Sequence, residues 1–222
     1  NCNTGMDCWG TNMYDSDNDY TNDDQGSSFS YSMISPALSV DPASFVARFS
    51  SWHGMHWTET NPGTNPTRTY WDCGYVMVRN SSSPSFPPPD QGWSYIPFDT
   101  QNSTGLSFAN GLYPIGSGNG KIQTCDGLTG NDYAIGGEST SPSQNPTGWA
   151  TLAVNLNQHL QKYVQLKFVL SHNSGSGTPY NTTMPGWFID DFRVGDPLPQ
   201  NGWMTIKGFT PRQAPMAGFP DG

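Results

Sequence analysis

Glutamate is almost missing from this chain. Of 222 residues only Glu59 and Glu138 carry it, and Lys and Arg together number nine. Charged residues make up 12% of the chain, about half the usual share, so long solvated helix faces cannot be built. The 25 Gly and 19 Pro interrupt nearly every ten-residue window, which excludes a long-helix protein. No run approaches 18 apolar residues, which excludes a membrane-spanning helix. There is no basic cluster, and a net charge of −9 argues against nucleic acid as a partner. Among catalytic signatures, H-E-x-x-H, G-x-S-x-G and a P-loop ending in Lys-Ser/Thr are all absent. No C-x-x-C pair is present either.

What the chain does have is aromatic mass. Eight Trp, ten Tyr and eleven Phe supply large buried surfaces and exclude a disordered chain. The expected fold is all-β, because the apolar runs alternate with a period of two. Phe45, Ala47 and Phe49 share one face of such a run. Ala150, Leu152, Val154 and Leu156 share another, as do Val164, Leu166, Phe168 and Leu170. Tyr75 to Arg79 and Trp187 to Val194 complete the strand candidates. Residues 79–92 and 101–148 read as long loops, and the one helical hint runs from Leu156 to Tyr163. Residues 1–195 are expected to form one domain. Residues 196–222 hold five prolines and one strand-like run, Trp203 to Phe209, and read as a linker or the start of a following domain.

Sixteen of the 18 acidic residues are Asp, the residue of turns and hard-cation loops. Nine cations leave many of them without an ion-pair partner, so a Ca²⁺ site is expected, with a solvated acidic surface as the plain alternative. Asp15, Asp17 and Asp19 have EF-hand spacing, but Tyr20 and Gly26 occupy the positions that need Gly and Glu, so that motif fails. Asp190 and Asp191 interrupt an apolar strand, and strict alternation would set Asp190 beside Phe188, Phe192 and Val194, forcing one carboxylate toward the core.

The four cysteines admit three pairings, of which Cys2–Cys8 with Cys73–Cys125 joins near neighbours at the N-terminus and ties residues 101–148 to the middle of the chain. Sequons at Asn80, Asn102 and Asn181 fall in polar segments. Together these point to an extracellular or cell-surface location. The chain opens on Asn1, so it is expected to be a processed or excised piece.

Several motifs then occur in a telling order. They are Cys8-Trp9-Gly10-Thr11-Asn12, Tyr20, Ile34 to Leu38, Phe49 to His53, Glu59, Asp72 to Val78, Trp93, Trp149, Val164 to Phe168 and Gly186 to Asp191. This order resembles the MAM-like jelly-roll module of immune-inhibitor-A-type secreted metallopeptidases and cleaved-adhesin domains, over roughly residues 8–195. Cys73 stands where that family usually has Gly, and residues 101–148 look enlarged. The resemblance implies a two-sheet antiparallel jelly-roll sandwich with a structural Ca²⁺ where the N-terminal loop meets the central strands. The oxygens available to such an ion are those of Asp19, Asn22, Asp24, Glu59, Asp72 and Asp190.

The four histidines carry no zinc pattern; His53 and His56 would face opposite sides of a strand, and His159 and His172 are isolated. Trp52, Trp57, Trp71 and Trp93 either stack on sugar rings or fill space in the sandwich. The expected function is a non-catalytic, calcium-stabilised module of a larger secreted protein, serving adhesion or substrate docking, with glycan as one ligand class. A surface-layer or filament subunit exchanging its C-terminal strand is the second reading, and a glycoside hydrolase using Glu59 and Glu138 the third.

Overall fold

The computed structural model describes residues 8–10, 29–42, 45–60, 67–103, 112–139, 148–172 and 186–195. Among them are three sheets. The first runs β1 (Trp9–Gly10), β14 (Gly186–Val194), β4 (Val46–Gly54), β12 (Ala150–Asn155). The second runs β2 (Phe29–Ile34), β13 (Tyr163–His172), β7 (Cys73–Ser81), β11 (Tyr133–Ile135), β9 (Leu112–Pro114), with β3 (Leu38–Ser39) also on β13 and β8 (Ser94–Ile96) also on β7. The third is small: β10 (Lys121–Ile122), β6 (Thr67–Tyr70), β5 (Trp57–Thr60). Pairing is antiparallel except for β10 on β6. The chain crosses repeatedly between the first two sheets, from β2 to β4, β7, β12, β13 and β14, as in a jelly roll. The all-β sandwich is thus the observed fold, and the helical hint after Leu156 is a single 3₁₀ turn, Asn157–His159.

Between the first two sheets lies the main core. Ala47 and Phe49 of β4, Leu152 and Val154 of β12, and Val164, Leu166, Phe168 and Leu170 of β13 all point into it, on the parities expected from the sequence. Phe168 meets Phe49 edge to face, centroids 5.0 Å apart, and Trp187 at 6.0 Å.

The second sheet is apolar on its other face too. Tyr75 and Val169 join Trp57, Tyr70, Tyr113, Ile115 and Ile122 in a second core. Residues expected to form a long loop therefore build a lid. β9, β10 and β11 come from that stretch, and the Ile115–Ile122 bridge turns the second sheet over toward the third. The Cys73–Cys125 disulfide fastens the lid to the start of β7, in the expected pairing. Gly137 sits at φ +63°, and a Cβ there would lie 2.7 Å from the Tyr70 ring, so the turn under the lid requires glycine.

One expectation fails in β14. Trp187 and Ile189 face the main core, and after them Phe192 and Val194, so the parity changes. The register shifts between Asp190 and Arg193, and Asp191 takes a left-handed φ of 51°. This bulge leaves Asp190 and Asp191 both half-buried instead of driving either inward, and it separates Phe188 from Phe192 and Val194. The carboxylates avoid the desolvation cost that strict alternation would impose.

The disulfide closes a sequence separation of 52 residues, for which chain-entropy reasoning gives about 4 kcal/mol. Replacing Cys73 and Cys125 together by Ser should lower unfolding free energy by about that amount in a denaturant titration, and a loss below about 1 kcal/mol would contradict the lid's dependence on it.

Candidate functional site: a buried histidine–aspartate cluster

At one end of the sandwich the strands close over polar residues. β4 carries its core-facing parity from Ala47 and Phe49 on to Ser51 and His53; Trp187 Nε1 donates to Ser51 Oγ at 2.9 Å. β13 does the same from Phe168 and Leu170 to His172. Asp72 lies between β6 and β7, where the chain passes from the lid to the second sheet. His53, His56 and Asp72 are 0% exposed and His172 1%.

Asp72 is the hub. Its Oδ2 accepts the His56 backbone N–H at 2.8 Å, and its Oδ1 lies 2.8 Å from His172 Nδ1. Both ring nitrogens of His56 are buried without a hydrogen bond. Desolvation pushes the His56 pKa below its ordinary value, the Asp72 charge opposes this, and His172 reinforces it. His53 is held by Ser139, whose hydroxyl accepts its backbone N–H at 2.9 Å. Burial drives the His53 imidazole down to about 3, the Gly136 carbonyl offsetting only part of that. All four side chains are enclosed, burial disfavours the charged form of His53 and His56, and none of the four is exposed to a substrate.

The described calcium candidates do not converge. Glu59 of β5 accepts from Arg68 Nε at 2.8 Å, with its side chain only 5% exposed, while the guanidinium packs 4.8 Å from the Trp57 ring centroid. Asp72 is committed as above. In the β14 bulge, Asp190 Oδ1 accepts the Asp191 N–H at 2.8 Å, and Asp191 Oδ2 accepts from Ser50 Oγ at 3.1 Å. Among the described residues no group of three or more His, Cys, Asp or Glu is arranged to hold a metal ion. Asp19, Asn22 and Asp24 lie outside the described residues, as do Cys2 and Asn181. The described part of the set therefore does not make a calcium site by itself.

No family model matches the chain, and no curated protein matches it.

The other sequence candidates fall as follows. Cys8 is disulfide-bonded. Asn80 is exposed at the end of β7, its Nδ2 3.2 Å from His159 Nδ1. Asn102 is engaged instead: Nδ2 donates to Asp99 Oδ2 at 2.7 Å and Oδ1 accepts from Arg48 at 2.8 Å. Of the four tryptophans considered for stacking, Trp57 is buried in the second core and Trp52, Trp71 and Trp93 are half-buried. His53 and His172 carry no zinc pattern in the sequence and read there as ordinary residues, although the inward parity of both strands runs straight through them.

The cluster dictates a pH response. A histidine whose folded pKa is depressed holds its full contribution above the unfolded value of 6.5 and loses it as pH falls below that, because the unfolded chain takes the proton first. For His53 the loss reaches about 2 kcal/mol at pH 5, and His56 adds to it in the same direction. Denaturant midpoints between pH 7.5 and 5 should fall accordingly, and His53→Gln should flatten that slope whatever it does to stability at pH 7.5. An equal slope in the variant would remove His53 as its source.

Proposed function

We propose that this chain is a non-catalytic, extracellular β-sandwich module that docks a larger secreted or cell-surface protein onto its ligand, a glycan being the first candidate. The observation that carries the reading is the fate of the chemistry-bearing groups. His53, His56, His172 and Asp72 are enclosed in the interior, where they join the sheets instead of facing a substrate. The Cys73–Cys125 bridge supports an oxidising location, and the motif order from Trp9 to Asp191 supports the MAM-like kinship.

Calcium belongs to the same proposal. Residues 11–28 depart from Gly10 and re-enter at Phe29; Gly10 pairs with Phe188 near the start of β14, and Phe29 pairs with His172. Both anchors thus stand at the end of the sandwich that holds the histidine–aspartate cluster. Asp19, Asn22 and Asp24 would supply oxygens there, clamping the loop to the strands.

Two measurements test this. Excess chelator should lower the melting temperature by several degrees, since an ion bound only to the folded state at a hundred times its Kd adds about 2.7 kcal/mol. An unchanged melt with no metal by elemental analysis removes calcium from the proposal. A glycan array probed with the purified chain, before and after chelation, should give reproducible binders; a blank array in both conditions rejects glycan docking.

A further inference from the structure

Strand register sets Ile34, Lys167, Met77 and Tyr95 on one line across β2, β13, β7 and β8. All four are half-buried. They lie on the outer face of the second sheet, because their neighbours Met33, Phe168, Val76 and Val78 point into the main core. Met77 and Tyr95 abut the second core on one side of this line. On the other side stands Trp93, with the Arg79 guanidinium 4.6 Å and Lys167 Nζ 5.8 Å from its ring centroid.

Both aromatic rings are fixed by their own polar atoms. Trp93 Nε1 donates to the Pro89 carbonyl at 2.7 Å, and Tyr95 OH donates to the Tyr133 carbonyl at 2.6 Å. Their faces are thereby oriented before any ligand arrives, which removes the ordering cost of binding. The two cations differ. Arg79 spends its donors on Gln165 Oε1 and on the Pro88 and Gln91 carbonyls. Lys167 makes no ion pair with any described residue. The nearby carboxylate of Asp132 accepts from Thr129 N and Oγ1, at 2.8 and 3.1 Å, and so serves its own turn. In a chain of net charge −9, an ammonium with no ion pair among the described residues, beside the held Trp93 ring and one strand from Tyr95, is a localised positive point on an acidic molecule.

We infer that this strip binds an acidic sugar, with the pyranose ring against Trp93 and Tyr95 and its anionic substituent on Lys167. The inference rests on the docking function proposed above and names the ligand class for it. A flat π-face suits the C–H face of a pyranose, and an ammonium suits a carboxylate or sulfate as a compact point charge.

Calorimetry with three oligosaccharide probes tests it: a uronate oligomer, a sulfated oligomer and a neutral oligomer of equal length. The intact chain should prefer the acidic probes, and the better of the two identifies the anion. Lys167→Gln should weaken the acidic probes roughly tenfold or more, the scale of one lost charge-assisted contact, and leave the neutral one unchanged. Lys167→Arg should restore binding, and Trp93→Phe, which keeps a ring in place, should weaken all probes while melting within a few degrees of the parent. Acidic-sugar binding that survives Lys167→Gln overturns the strip while leaving the docking function standing. A parent chain that binds none of the probes, and nothing on the array, overturns both.

Discussion

The architecture follows from a sheet that is apolar on both faces. β7 and β13 are greasy at both parities: Val76, Val78, Leu166 and Phe168 point one way, Tyr75 and Val169 the other. One partner sheet can cover only one of those faces. The opposite face would leave a large apolar surface in water, at about 25 cal/mol for each Å². A third layer is therefore required, and the chain makes it from β5 and β6 together with residues 112–135. Its strands are only two or three residues long, and a covalent bridge at Cys73–Cys125 fastens the segment to β7. The stretch expected to be loop is thus part of what completes the fold.

Three layers create a junction problem. Where the lid strand β6 gives way to the sheet strand β7, the backbone must turn inside the protein, with β4 and β13 ending alongside. Asp72 occupies that turn and binds the chain that leads into β5 through the His56 N–H, and the end of β13 through His172. A buried carboxylate so placed is costly to leave unpaired, by about 3–5 kcal/mol, which specifies the junction sharply. The price is sensitivity to acid, since burial disfavours the charged form of His53 and His56 at this junction.

Legibility in the sequence tracked regularity. Period-two runs such as Val164 to Leu170 gave both the strand and its inward face, since alternation is a local property. The Cys73–Cys125 pairing was the favoured one of three that the sequence left open. The lid was not, because Tyr113, Ile115, Ile122 and Ala134 follow no period and their partner surface is a sheet far away in sequence. The β14 bulge was hidden for a different reason. Two adjacent Asp break an apolar strand in the sequence, but only the structure shows that an added residue at φ 51°, with Ser50 bonded to Asp191, lets both carboxylates stay near the surface. At the cluster the signal was present and unused: inward parity places His53 and His172 in the core, and testing the histidines only for a zinc pattern hides it.

The outer edge of β12 shows how far a three-residue motif can stand from its tertiary meaning. An unpaired edge invites another chain, and here residues 98–103 cover it. Phe98 bridges Val154, Asp99 N–H donates to the Ala153 carbonyl, and Ala153 N–H donates to Ser103 Oγ. Arg48 locks the cover in place, donating to Asn102 Oδ1 and to the Gly195 carbonyl at the end of β14. Asn102 and Asn80 carry the same sequon. A glycan on Asn102 must replace a hydrogen of an amide that already holds Asp99, and must do so beside a buried guanidinium. On Asn80 it meets only the His159 ring at the surface. The motif is the same at both positions, but Asn102 is half-buried and occupied in closing the sheet edge, whereas Asn80 is exposed and its amide touches the His159 ring.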